Sequence, residues 1–420
     1  MRELVSAKST CQYCGGNDLE ELIFLGYFPP VNALVRFEDW DTNQEYFPLQ
    51  LLFCSECFLV QIGKILDSEI VFPSEYPYLS GMTKSLVANF SNQSQKVVNF
   101  TQLKSEDLVI DIASNDGSLL SNYKDKARVL GVEPTDTADI AITNGIPTIK
   151  KYFNYKTTME ILTSYGQAKV ITICNALAHI PNPAQLFDSI KSLLEPDGVF
   201  VSENHYLGDL VDTLQFDTIY HEHLRYYSAK FLVNAFPKHN LQVFRIERID
   251  SHGGSIRVWA SHSGRYEVEP SVQEFLDLEE TGIAKVEVLR EFSNRICKWR
   301  QEFRQIFAGL RIDQMMIVGV GAPSRASTLI GFSGLTNLDL LAVAELPGSL
   351  KVGQFMPGTR IPVIKEEEAL ALNPDILLVL SWHLGDGVIT SLINKGFKGK
   401  FLIPLPVPRV IDVKDFKSIE

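Results

Sequence analysis

Leu108-Val109-Ile110-Asp111-Ile112-Ala113-Ser114-Asn115-Asp116-Gly117 is the stretch on which the fold of this chain turns. Its first half is a short, mostly apolar run rich in β-branched residues, which reads as a buried strand, and its second half is a polar turn ending in glycine. A helix is expected to begin near Ser118. The same grammar recurs downstream. A strand over Arg128 to Val132 ends in Glu133, a strand over Val170 to Cys174 ends in Asn175, and a strand over Val199 to Ser202 follows the turn Pro196-Asp197-Gly198. Strands alternating with helical stretches imply an α/β architecture with a parallel, doubly wound sheet, whose ligand lies at the carboxyl ends of the strands.

The first turn also narrows the cofactor. A bound pyrophosphate calls for G-x-G-x-x-G, which is absent here, whereas a cofactor without phosphate needs room rather than three glycines. Gly117 supplies a flexible position. Glu133 stands about 20 residues beyond the first turn, where an acid can accept the ribose hydroxyls. This favours S-adenosylmethionine, with Asp111, Ala113, Asn115, Gly117, Glu133 and Asn175 as its candidate contacts.

Beyond this Rossmann-like domain, Leu241 to Ser261 reads as a hairpin around Ser251-His252-Gly253-Gly254. A long helical tract is expected from Ser271 to Gly309, with Phe292, Ile296, Trp299, Phe303 and Ile306 on one face. A further section opens with the strand Met315 to Val320, the turn Gly321 to Arg325 and a helix from Ala326. Strands at Leu340 to Ala344, Ile376 to Leu380 and Phe401 to Ile403 make it a second Rossmann-like half. Gly319-Val320-Gly321 alone is too weak a signal for a second dinucleotide.

On the amino-terminal side, Cys11, Cys14, Cys54 and Cys57 hold four of the six cysteines. Two Cys-x-x-Cys knuckles bring four sulfurs toward one tetrahedral ion, so a zinc site is expected. With every position filled by protein, the metal would be structural. Two disulfides are the alternative, disfavoured in a reducing cytosol. Strands are expected at Leu22 to Leu25 and Leu49 to Phe53, and a tyrosine-bearing connector, Tyr76-Pro77-Tyr78, leads to a helix from about Lys84. The organisation expected is a zinc-binding module over 1–75, a methyltransferase domain over 76–265, a helical connector over 266–310 and a Rossmann-like domain over 311–420.

The chain has 420 residues and a net charge of −12, which argues against general nucleic-acid binding because phosphate neutralisation needs a basic surface. No run of about 18 apolar residues is present, so no membrane span is expected. The first ten residues lack the apolar core of a secretory signal, and a cytoplasmic location is expected.

Tyr220-His221-Glu222-His223 follows the sheet. A methyltransferase acting on a reactive oxygen or nitrogen needs little beyond proximity, but one acting on carbon must first remove a proton and stabilise an enolate. An imidazole titrates near neutral pH and an unperturbed tyrosine near 10, which makes His223 the expected base and Tyr220 the donor to the enolate oxygen. The two roles exchange if a neighbouring cation lowers the tyrosine pKa. His221, alternating in direction with its neighbours, is expected to be solvated.

Asp111-Ile112-Ala113-Ser114-Asn115-Asp116-Gly117, Gly131-Val132-Glu133-Pro134 and Gln215 to Leu224 together resemble the nucleotide-sugar C-methyltransferase family. The resemblance extends to the four-cysteine module with Leu59-Val60-Gln61, to His252-Gly253-Gly254-Ser255 and to Pro357-Gly358-Thr359. It implies a monomeric, adenosylmethionine-dependent enzyme that methylates carbon beside the keto group, commonly C-3, of a nucleoside-diphosphate 4-keto-deoxysugar. It also implies that His223 and Tyr220 are the acid/base pair, with Glu222 contacting substrate or orienting the histidine. His179 and His252 match positions on the substrate side, and Tyr76 and Tyr78 match a tyrosine-rich lid. Two departures stand out. Ala113 replaces a common glycine, and Arg325, a candidate phosphate contact, replaces a common lysine. Alternative readings are a non-sugar acceptor on the same architecture, and a catalytically silent zinc-stapled binding protein; the intact acid/base residues speak against the latter.

Overall fold

The computed structural model describes residues 5–7, 10–72 and 79–416. Tyr76 and Tyr78 of the connector lie outside the described residues. The chain forms two units, the first from residues 1–20, 52–209 and 223–286 and the second from 21–51, 210–222 and 287–420. These boundaries cut across the expected module over 1–75. The strands Leu19–Phe28 and Phe47–Cys54 carry the chain out of the first unit and back again, and the segment between them includes the strand Val35–Arg36.

The first unit is built on a seven-stranded sheet. Its spatial order is Leu241–Ile249, Ser255–His262, Leu194–His205, Ala168–Cys174, Leu108–Ile112, Arg128–Val132 and Thr148–Ile149. The hairpin pairs antiparallel and all remaining neighbours run parallel, apart from the antiparallel joint of Ser255–His262 with Leu194–His205. Strand order reverses between Leu108–Ile112 and Ala168–Cys174, which creates a crevice at their carboxyl ends. The helix Lys84–Thr101 covers the sheet, burying Leu86, Phe90 and Val97 with Val109, Val170, Phe244 and Trp259.

Within this core Arg257 and Glu203 face each other across paired strands, both fully buried, with Nη2 donating to Oε2 at 2.9 Å. Asn89 and Asn92 of the covering helix accept from the same guanidinium, and Asn89 also donates to Glu203. A buried ion pair repays its desolvation only when its remaining hydrogen-bonding groups find such partners.

Two expected helices differ. The helix near Ser118 is one 3-10 turn, Leu120–Asn122, because Ser121 and Asn122 side chains bond back to the carbonyls of Gly117 and Ser118 and compete with the helical ladder. The tract from Ser271 to Gly309 is two helices, Pro270–Thr281 and Val286–Ile312, parted at Gly282. Glu279 near the end of the first turns inward to accept the amides of Ala229 and Lys230, capping the helix Ala229–Ala235.

The second unit carries an eight-stranded sheet in the order Arg409–Asp412, Lys400–Ile403, Ile376–Val379, Ile317–Val320, Val343–Glu345, Pro362–Lys365, Gln354–Phe355 and Val35–Arg36. Phe292, Ile296, Trp299 and Phe303 are buried as the periodicity predicts, and Trp299 donates its indole N–H to the Pro404 carbonyl at 2.7 Å.

Both sheets open with the same turn. In the first, Ala113 at φ 57° donates to the Val132 carbonyl at 2.8 Å, and Glu133 accepts the Asn115 amide at 3.0 Å. In the second, Gly321 at φ 80° donates to the Ala344 carbonyl at 2.8 Å, and Glu345 accepts the Ala322 amide at 2.7 Å. Among the described residues no helix is long and apolar enough to cross a membrane.

Candidate active site and metal site

The cofactor turn occupies the carboxyl end of Leu108–Ile112. Asp111 lies buried in the strand, accepting the Thr172 hydroxyl at 2.7 Å. Burial pushes its pKa up to about 7, with the Thr172 bond opposing and the Glu133 charge adding to the rise. The turn itself is held in the left-handed region at Ala113, Asn115 and Gly117, and Asn175, ending the neighbouring strand, has φ 55°. Glu133 accepts the Asn115 amide on one oxygen and both the amide and the hydroxyl of Thr135 on the other. The segment following the connector lies over this turn: Ser80 donates its amide to Asn115 and Gly81 donates to Asp116, each at 2.8 Å.

Among the described residues, the buried Ser114 Oγ and Asn175 Oδ1 have no hydrogen-bond partner. Unpaired buried acceptors around a sharp turn fit a polar ligand such as adenosylmethionine. The departure at Ala113 has a cost, since a β-carbon in the left-handed region is unfavourable by about 1 kcal/mol or more. Ala113→Gly is therefore expected to raise stability by about 1 kcal/mol, offset in part by unfolded-chain entropy. A melting temperature that stays level or falls would contradict this account of the turn.

The four amino-terminal cysteines converge. Their sulfurs all lie within 4.8 Å of one another, with Cys11 to Cys57 at 3.5 Å and Cys14 to Cys54 at 3.6 Å. Four sulfurs each about 2.3 Å from a central ion would be spaced in this way, so the set fits tetrahedral zinc. Each of the first two sulfurs accepts a backbone amide from its own knuckle, Tyr13 to Cys11 and Gly16 to Cys14.

The knuckles connect directly to the residues that follow His223. Gln61, just beyond the second knuckle, accepts the Gln12 amide at 2.8 Å and stands opposite Arg225 in an antiparallel pair that also joins Val60 to Tyr226. Ile62 donates to the Leu224 carbonyl, and Leu224 donates to Ala178. Arg225 is fully buried, donating to Gln12, to the Tyr227 hydroxyl and to the Ile180 carbonyl.

In the first unit this framework gathers histidines. The His223 ring, itself only 7% exposed, is 5.0 Å from His179 and 5.2 Å from His205, and His205 is 5.5 Å from His252. His179 donates Nε2–H to the Asn175 carbonyl at 2.9 Å, which ties it to the cofactor turn's neighbour. His205 escaped the sequence reading because the strand was taken to end at Ser202. It runs instead to His205, so that this imidazole falls at the carboxyl end of a central strand, where ligands bind.

In the second unit Tyr220 and Glu222 are buried. Glu222 accepts the Asn32 amide group at 2.7 Å, and Asn32 in turn accepts the Ser324 hydroxyl at 3.0 Å. Lys351 donates to the Ala322 carbonyl; burial lowers its pKa, while the charges of Glu345 and Glu222 oppose the fall. Asn32 and Lys351 carry no sequence signal of their own.

His221 is not solvated as expected. It is 1% exposed, donates Nε2–H to the Pro48 carbonyl at 3.3 Å, and has its pKa pushed down to about 4, chiefly by burial. Because the unfolded chain takes up this proton first, stability contributed by the neutral ring is lost as pH falls from about 6.5 toward 4, by up to about 3 kcal/mol. His221→Gln should flatten that acid limb; an unchanged slope in urea titrations across this window would refute the assignment.

Arg325, expected to face a phosphate, is buried in a forked pair with Asp217 at 2.7 and 2.9 Å and donates to Gln215 at 3.1 Å. Trp382 donates to the same carboxylate, and its ring lies 4.7 Å from the guanidinium. Bidentate geometry and a stacked indole tie this arginine to the segment 215–217.

Three family models cover most of the chain. Residues 11–72 match one described as a zinc binding domain, 88–246 one described as a methyltransferase domain, and 250–406 one described as a C-methyltransferase C-terminal domain. The C-methyltransferase NovU of Streptomyces niveus is 32% identical over 421 residues, covering 99% of this chain and 99% of that protein. Among solved structures, an S-adenosylmethionine-dependent methyltransferase from Clostridium acetobutylicum aligns at 13% identity and a TM-score of 0.34, covering 42% of this chain and 92% of that one. Magnesium protoporphyrin IX methyltransferase from Synechocystis, with bound S-adenosylmethionine, aligns at 12% identity and a TM-score of 0.33, covering 42% and 79%.

Proposed function

The chain belongs to the C-methyltransferase family, and from that premise we propose that it methylates the carbon beside the keto group, at C-3, of a nucleoside-diphosphate 4-keto-deoxysugar through an enolate. S-adenosylmethionine, when bound, supplies an electrophilic methyl group on sulfur. The observation that carries the reading is the buried His223 ring set between two other imidazoles. A hydroxyl or amine acceptor needs no such base, whereas a carbon acid does.

His223 takes the α-proton. Tyr220, three residues earlier on the same tract, donates its phenol to the enolate oxygen, and Glu222 contacts the sugar or fixes the tract through Asn32. His179, whose Nε2–H is held by the Asn175 carbonyl, links the sugar side to the cofactor turn. Tyr76, Tyr78 and His252 are assigned to the sugar side by family resemblance. Ser114, Asn175 and Glu133 would hold the cofactor's polar groups, and the four cysteines would hold a structural zinc. The protein is taken to act as a monomer.

Incubation with methyl-labelled cofactor and a panel of nucleotide 4-keto-6-deoxysugars tests this. Label should appear on carbon in at least one of them. Transfer to none, together with transfer to an unactivated hydroxyl acceptor, would replace the proposal with a non-sugar substrate.

A further inference from the structure

A carbon-acid mechanism leaves its base protonated after every turnover, because the product's new carbon–carbon bond returns no proton to it. His223 is buried, so that proton needs a route out. We propose that His205 relays the proton from His223 to solvent, an inference that rests on the assignment of His223 as base.

The three rings form a chain. His205 lies 5.2 Å from His223 at 81° and 5.5 Å from His252 at 62°. Centroid separations of this size bring ring edges within reach of a hydrogen bond or of one bridging water. Exposure increases from His223, which is buried, to His205, which is partly exposed. His179 is the other neighbour of His223, but its Nε2–H is spent on the Asn175 carbonyl, so it orients rather than conducts.

His252, on the other side of His205, is held in place by backbone geometry. His252 has φ 54° and is followed by Gly253 at 89° and Gly254 at 119°. A β-carbon on Gly254 would come within 2.3 Å of Asp209, so only glycine permits this close approach. The turn is tied to the strand end that bears His205: Tyr206 donates its amide to the Gly254 carbonyl at 3.2 Å, and His205 stands opposite Ser255 in register.

The step balances without oxidant or co-reactant. The C–H electron pair becomes the new carbon–carbon bond, and the proton rests on His223. His223 passes it to one ring nitrogen of neutral His205, which releases its own proton from the other nitrogen to water or buffer. One proton leaves per methyl transferred.

The experiment uses the full-length enzyme with cofactor and keto-sugar at fixed pH and ionic strength. In dilute buffer, His205→Asn should lower steady-state turnover by roughly tenfold or more. Single-turnover methyl transfer, with enzyme in excess, should stay within about twofold of wild type, because His223 can still accept one proton. Added imidazole should restore the steady state. Turnover unaffected in dilute buffer, or a loss equal in both regimes that imidazole does not relieve, would overturn the relay. Such a result would leave the base assignment standing, since that is read separately by α-deuterium exchange in His223→Asn. Equal melting temperatures and equal S-adenosylhomocysteine affinity show that the variants are folded; if His205→Asn fails this check, His205→Gln is read in its place.

Discussion

His223→Asn is expected to abolish exchange of the keto-sugar's α-deuterium with solvent and to slow methyl transfer by roughly 10²- to 10⁴-fold, the usual contribution of a positioned base. Asparagine keeps a polar group of similar size, and the backbone of the tract is held elsewhere, by Leu224, Arg225 and Tyr226 pairing with Val60 to Ile62. S-adenosylhomocysteine affinity should therefore stay at the wild-type level. Mass spectrometry of the recovered sugar reads exchange without depending on methylation. If deuterium washes out of the sugar as fast as with wild type, the base is another group, with Tyr220 first in line.

Removing the metal should have an even larger effect. Zinc in small four-ligand modules contributes about 10–16 kcal/mol of apparent binding free energy at neutral pH, and that energy serves as folding energy. Here it fixes two knuckles whose following strand pairs with Arg225 and Tyr226, so loss of the ion reaches the residues just beyond His223. Cys54→Ser or strong chelation should abolish metal binding, melt this segment at a much lower temperature and eliminate methyl transfer. Metal analysis of wild type should find about one zinc per chain, as four thiolates imply. Folded, fully active protein without metal would end the argument.

The parts of the fold that sequence made legible are those where local pattern and tertiary role coincide. Leu108–Ile112 and Arg128–Val132 lie where their largely apolar runs predict, since strands buried on both faces are mostly apolar, with Asp111 and the exposed Arg128 as the polar exceptions. The knuckles were legible because metal geometry restricts spacing. Features decided by distant partners were not. His221 alternates with its neighbours and looked solvated, yet the segment at Phe47 and Pro48 covers it. Nothing in the sequence near Arg325 signals its pairing with Asp217, which also accepts from Trp382. His205 was hidden by a strand three residues longer than its apolar core, because backbone pairing with Ser255 continues after the apolar pattern stops.

The turn that opens both sheets offers a comparison within one chain. At residue 113 a methyl group is already accommodated, at a torsional cost only. At residue 321 a β-carbon would lie 2.1 Å from the Ser381 hydroxyl, so torsion and collision act together. Sequence drift therefore has unequal freedom in the two halves: position 113 can wander among small residues while the fold survives, and position 321 is locked.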